Sequence, residues 1–209
     1  MNSHFDCRLL TLADREATAR VLSQAFVDDP LSSFMLPFGR TRIKTIYKYF
    51  IVYGGAAIKS NRGYGIGEPL QGVAFWKHPK QEDLSISARS LSGIFSLVCT
   101  FFPIGYFRAK RVLKEQEAMQ KKYTNEPHFL LENIGVLPST QGKGLSSKLI
   151  RPFLEMADTQ KVIVYTDTYK HSNVSLYEHF GFHCVENRSI KGTGLTVWAM
   201  RREVNSTDF

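Results

Sequence analysis

The chain has 209 residues, 43% of them hydrophobic and 22% charged; that is enough to bury one sizeable core and too ordinary for a disordered or fibrous class. A formal net charge of +8 suits a polyanionic partner, either nucleic acid or the phosphates of a nucleotide, without choosing between them. The longest apolar run, Ile94 to Phe107, is broken by Thr100, Pro103 and Gly105 and falls short of the roughly 20 residues that span a bilayer.

In chain order, Met1 to Asp6 have neither the basic start nor the apolar stretch of a secretory leader. Cys7 to Leu12 reads as a short first strand, and Thr11 with Asp14 has the spacing of a capping box. Ala17, Val21, Leu22, Ala25 and Phe26 form a helical apolar face that ends at Asp28-Asp29-Pro30. A second helix is predicted from about Thr41 to Lys59, then strands over Tyr64 to Glu68 and Leu70 to Trp76 with a turn near Pro69. Lys80 to Tyr123 combines helix formers, basic residues and the broken apolar run, and reads as a helical insertion.

From Phe129 the pattern sharpens: strand to Val136, Gly-rich turn, helix from Gly144 to Ala157, strand from Val162 to Asp167, helix from about Ser172 to Phe180, and two closing strands. This alternation predicts an α/β fold in a single domain. Cys7, Cys99 and Cys184 are odd in number and far apart, as reduced core residues of a cytoplasmic protein would be.

The central feature is Val136-Leu137-Pro138-Ser139-Thr140-Gln141-Gly142-Lys143-Gly144-Leu145-Ser146, directly after a strand and directly before an amphipathic helix. Gly142 and Gly144 let a ligand approach the backbone, and successive N–H groups at a helix start attract phosphate oxygens. A bland glycine turn is the competing reading of that segment alone. Roughly thirty residues on, Asn173 can start a helix, Tyr177 lies one turn later on the same side, and Gly181 can end it.

In this order and spacing the two segments resemble the GNAT superfamily of acyl-CoA-dependent N-acyltransferases. Its pyrophosphate turn reads Q/R-x-x-G-x-G/A; Gln141 and Gly144 match, with Ser146 replacing the last small residue. The phrase Phe129 to Val136 followed by Gln141 to Leu145 looks most like the branch containing puromycin N-acetyltransferase, which also carries helices between its third and fourth strands. The resemblance implies a mixed, mostly antiparallel central sheet flanked by helices, with the helical insertion between strands 3 and 4.

It also implies acetyl-CoA as acyl donor. The backbone of Ile134, Gly135 and Val136 would pair with the pantetheine arm, and an N–H near Ile134 would polarise the thioester carbonyl. Gln141, Gly142, Lys143, Gly144, Leu145 and Ser146 would hold the pyrophosphate, and Asn173 the pantetheine or phosphate region. Tyr177 matches the family's tyrosine that protonates or hydrogen-bonds the departing sulfur.

Alkyl amines titrate near 10, so a base or a water chain leading to one is needed. Glu132 is the candidate, because regular alternation puts it on one face with Ile134 and Val136; an exposed strand carboxylate is the competing reading, and His128 is a weaker candidate on the same face. Phe34, Tyr64, Trp76 and the insertion's Phe101, Phe102 and Tyr106 are candidates for an acceptor pocket or for plain core. The basic stretch Arg108 to Arg111 with Lys114, Lys121 and Lys122 reads as a solvated helix face. His171, His179 and His183 lack a ligand pattern, so no metal is expected.

The expected activity is direct acetyl transfer to the primary amine of a small molecule, by a monomer or homodimer. No aromatic-basic motif points to nucleic acid, and no membrane partner is expected. A protein or peptide amine, or a non-catalytic acetyl-CoA sensor, are the alternatives.

Overall fold

The computed structural model describes residues 7–36, 39–84 and 104–204. Seven strands form one sheet in the order β1-β2-β3-β4-β5-β7-β6. They are β1 (Arg8–Leu9), β2 (Gly63–Ile66), β3 (Gly72–Lys77), β4 (His128–Val136), β5 (Ile163–Thr168), β6 (His183–Ile190) and β7 (Leu195–Arg202). Every neighbouring pair is antiparallel except β4 with β5.

Among the described residues, six helices cover the two faces: α1 (Arg15–Ala25), α2 (Pro30–Met35), α3 (Gly39–Lys59), α4 (Ile104–Tyr123), α5 (Leu145–Gln160) and α6 (Ser172–His179). Strand alternation sorts the core between them. Ala74, Trp76, Phe129 and Val164 pack with Leu149, Phe153 and Tyr177 from α5 and α6. Val73 and Phe75 pack with Leu22 of α1 and Phe50 of α3, while Tyr165, Val197 and Ala199 pack with Val112 and Met119 of α4.

The mostly antiparallel sheet with helices on both faces is the architecture expected from the sequence. Helix α4 lies between β3 and β4, in the second half of the predicted insertion; residues 85–103 lie outside the described residues. One element differs. Asp28-Asp29-Pro30 does not simply end α1, because the Asp29 carboxylate accepts from the N–H groups of Leu31 at 2.9 Å and Ser32 at 3.3 Å and so starts α2, with Pro30 in its first turn.

The close fit of α1 to the sheet depends on Gly135. A Cβ there would stand 2.8 Å from the Ala25 Cβ and 2.9 Å from Leu22, so any side chain would push the helix away from β4.

Candidate active site

Strands β4 and β5 form a fork. They pair only through His128–Leu130 and Ile163–Tyr165; beyond that, β4 follows β3 to Val136 and β5 follows β7 to Thr168. The stretch 131–136 therefore faces the gap with a free backbone edge about 20 Å long at about 3.3 Å per residue. Such an edge can pair with an extended ligand as with another strand. Ile134, Gly135 and Val136 lie on it, as the resemblance requires.

Thr166 sits where the fork opens and donates its hydroxyl to the Leu131 carbonyl at 3.0 Å. Tyr177, only 3% exposed, comes to the same face from α6, close enough for Thr166 to influence its phenol. One turn earlier, Asn173 donates from Nδ2 to the Thr168 hydroxyl at 3.1 Å. Four helical residues rise about 6 Å and two strand residues about 6.6 Å, so positions 173 and 177 fall naturally beside 168 and 166. Asn173 is not the cap of α6, which begins at Ser172.

Burial pushes the Tyr177 phenol up to about 12, against the opposing effect of the neighbouring Thr166; Asp167 and Asp29 add to the rise. The phenol therefore stays protonated at neutral pH and has a hydrogen to donate.

At the far end of the β4 edge comes a 3₁₀ turn over Pro138–Thr140 and then α5. Gly142 (φ 77) and Gly144 (φ 75) are both left-handed, and a Cβ on either would meet nothing within 4 Å. Backbone conformation rather than crowding demands glycine here, and the space above the turn is open. Gln141, Lys143 and both glycines are exposed, Leu145 and Ser146 half-buried. Gln141 Nε2 lies 3.4 Å from the Val136 carbonyl, its acceptor, and so ties the turn to the end of β4. A 16-residue helix pointing its first N–H groups at that space can hold a diphosphate.

Glu132 is placed differently from what regular alternation predicts. The β3–β4 register shifts there: Phe75 faces Asn133 and Trp76 faces Leu131, leaving Glu132 as the extra residue of a bulge. The bulge sends its side chain to the α3 face, while Ile134 and Val136 join the α5 face. There Arg62 donates to Glu132 Oε1 at 2.7 Å and the Tyr53 hydroxyl to Oε2 at 3.1 Å. Arg62 is 1% exposed at its side chain and Glu132 8%; a second guanidinium N–H donates to the Glu82 carbonyl. His128 Nε2 is buried without a partner, and burial lowers the ring's proton affinity.

The acceptor candidates separate. Trp76 is fully buried, stacks on Phe153 at 4.6 Å, and donates to the Leu149 carbonyl at 3.1 Å. Tyr64 meets the same Phe153 ring edge-on at 4.6 Å and pairs with His78 at 3.1 Å. Both belong to the α5 face. Phe34, from α2, packs on the α4 face and lines a cavity of about 610 Å³ with Arg108, Arg111, Lys114 and Glu115. Arg108 lies over the Phe34 ring at 5.2 Å, so part of the basic stretch walls this cavity. Phe101 and Phe102 lie outside the described residues, and Tyr106 falls in the first turn of α4.

Sequence reading passed over a polar group at the fork. Asp167 Oδ1 accepts from Gln116 of α4 at 2.8 Å, and Gln116 Oε1 accepts from the Tyr169 hydroxyl at 3.3 Å. Burial pushes the Asp167 carboxyl up to about 6, against the lowering effect of Gln116. An aspartate in an otherwise buried strand was the available signal. Among the described residues no three His, Cys, Asp or Glu side chains group as a metal site, and no helix is long and apolar enough to cross a membrane.

Comparison with known proteins agrees with this architecture. Residues 118–204 match the family model described as acetyltransferase (GNAT) domain. An uncharacterized N-acetyltransferase of Schizosaccharomyces pombe is 26% identical over 177 residues, covering 81% of this chain and 70% of that protein. Among solved structures, a Corynebacterium glutamicum protein described as histone acetyltransferase HPA2 and related acetyltransferase superposes with a TM-score of 0.63 at 19% identity, covering 97% of this chain and 98% of that one. A Drosophila melanogaster polyamine N-acetyltransferase that forms N-acetylagmatine gives 0.62 at 10% identity, covering 95% of this chain and 99% of that one.

Proposed function

Starting from an acyltransferase of the GNAT type, we propose that this chain binds acetyl-CoA in the β4/β5 fork and transfers its acetyl group directly to the primary amine of a small molecule. The observation that carries the proposal is the fork itself: a free β4 edge runs from a buried, protonated Tyr177 to an open glycine turn at the start of α5.

When bound, the thioester supplies an activated acyl carbon. The backbone of Ile134, Gly135 and Val136 holds the pantetheine arm, and an N–H near Ile134 orients the carbonyl. Gln141 to Ser146 hold the diphosphate, with Lys143 free to add charge at the exposed rim. Tyr177 donates its phenolic hydrogen towards the departing sulfur. Asn173 braces α6 on Thr168 and keeps that phenol in register, and would contact the pantetheine or phosphate region. Glu132, tied to Arg62 and Tyr53, fixes the bulge of β4 and thereby the edge, a holding part rather than a proton-transferring one.

The small-molecule reading has support. The cavity beside Phe34 is walled by several cations, which repel a lysine-rich peptide at each of its charges and a monoamine only once. The Drosophila polyamine N-acetyltransferase of the same fold forms N-acetylagmatine, so the fold accommodates a small-molecule amine. The position of α4 before β4, with the phrases at 129–136 and 141–145, supports a place in the branch containing puromycin N-acetyltransferase. We read the whole chain as one catalytic domain working in the cytoplasm.

Thiol release from acetyl-CoA, measured against a panel of primary amines and lysine-containing peptides, tests the proposal. Turnover with small amines and none with peptides is expected; turnover with peptides alone overturns it.

A further inference from the structure

The donor side of the fork leaves open what receives the amine. On β5, Tyr165 and Asp167 share the face covered by α4. Gln116 accepts from Tyr169 and donates to Asp167 Oδ1, which fixes the amide and commits one carboxylate oxygen. The other oxygen, Oδ2, has no hydrogen-bond partner among the described residues, and the residue keeps some exposure where the rest of the strand's end is buried. Beside it the Tyr165 hydroxyl is buried without a partner among the described residues, and burial above all, with the charge of Asp167 adding to it, holds that phenol's proton more tightly. A buried hydroxyl is rarely left unpaired without reason.

The place is also right. Asp167 follows Thr166, the residue at the opening of the fork, and alternation turns it to the face opposite Tyr177. The phenol of Tyr177 still feels the charges of Asp167 and Asp29. A nucleophile at Asp167 and a proton donor at Tyr177 would therefore flank the gap from its two faces. Leu31 and Phe34 of α2 add apolar surface on the Asp167 side.

We infer that Asp167, oriented by Gln116 and Tyr169, is the carboxylate that binds the acceptor's primary ammonium group and takes its proton. This rests on the acetyltransferase reading of the fork. The balance is simple: an ammonium N–H bond breaks as an Asp167 O–H bond forms. The freed nitrogen lone pair then makes the C–N bond while the acyl C–S bond breaks; the sulfur receives the hydrogen that Tyr177 donates, the second N–H proton shed by the nitrogen as the amide forms restores the phenol, and Asp167 returns its proton to water. A carboxyl raised by burial stands nearer to the amine in proton affinity than an ordinary one, yet remains ionised at neutral pH. The substrate class is a primary alkylamine, cationic in water, with a compact apolar body.

The test compares wild type with Asp167→Asn, which keeps the shape and can still accept from Gln116. Calorimetry measures 2-phenylethylamine binding to the free protein and to the coenzyme A complex, with neutral 2-phenylethanol as control; kinetics follow kcat/KM against pH. Asp167→Asn should weaken the amine at least about 10-fold, leave the alcohol and acetyl-CoA unchanged, and lower kcat/KM by about 100-fold. It should also remove the acidic limb near pH 6. Unchanged amine affinity and an intact limb overturn the assignment, as does a wild type that binds acetyl-CoA but no amine. An equal loss of acetyl-CoA affinity would mark Asp167 as merely structural. Failure of acetyl-CoA to bind at all sinks the donor reading instead, and the amine titration of the free protein still decides Asp167.

Discussion

The two faces of the sheet at the fork are made of different material. On the α5–α6 face the backbone supplies most of the proposed site: a free strand edge, two left-handed glycines and a helix start, with the Tyr177 phenol and the Thr166 hydroxyl set among apolar side chains. On the α1–α4 face, side chains supply it. Arg62, Glu132 and Tyr53 form one buried group, and Asp167, Gln116 and Tyr169 another. A donor whose diphosphate and amide-rich arm never change can be held by main chain, whereas an acceptor is recognised by side-chain chemistry.

If that division is real, breaking each face should have a different signature. The largest effect is expected from Arg62→Met, which strands the Glu132 carboxylate in the interior; removing one partner of a buried pair costs about 3–5 kcal/mol, to be read from urea unfolding. Restoring neutrality with Glu132→Gln in the same chain should recover part of the loss. Next comes Tyr177→Phe, expected to lower kcat by about 100-fold while calorimetry shows acetyl-CoA affinity within a factor of two. Unaltered turnover would remove the phenol from the chemistry.

Gly135→Ala sharpens the contrast from the backbone side. The clash with Ala25 and Leu22 should cost about 1–3 kcal/mol and displace the β4 edge, so acetyl-CoA affinity should fall together with stability. The smallest effect has the opposite sign. Asp167 is raised from its ordinary value to about 6, so its contribution to folding is fully present below pH about 4 and is lost as pH rises through about 6. Asp167→Asn removes that loss, and at pH 7.5 it should stabilise the fold, by at most about 3 kcal/mol and by less to the extent that solvent screens the half-buried carboxylate. The difference from wild type should vanish at pH 3.5. A variant that gains stability as it loses amine binding is what a functional carboxylate predicts.

The same division explains what could be seen in the sequence. Gln141, Gly142, Gly144 and Tyr177 stand in short, fixed spacings because one turn and one helix carry them; the strand and helix alternation around them predicted an α/β fold, and the mostly antiparallel sheet was what the resemblance implied. The acceptor face has no such local signature. Tyr53 comes from α3, Arg62 from the turn that follows it, Gln116 from α4 and Asp167 from β5, and only the folded sheet brings them together. Glu132 shows the same limit from another angle: alternation put it beside Ile134, but a single bulge residue turned it to the opposite face. Helix α2 was legible after all, since Asp29-Pro30 is a starting signal as much as a stop.

The central claim is that the fork and the turn before α5 hold a thioester carrier. Titrating acetyl-CoA calorimetrically into wild type and into Gly144→Val tests it most directly, since valine can neither adopt the left-handed conformation found at that position nor leave the space above it open. Saturable binding to wild type, weakened at least about 10-fold in the variant at matched folded content, is the predicted result. No heat with wild type, or equal affinity in the two proteins, would contradict it.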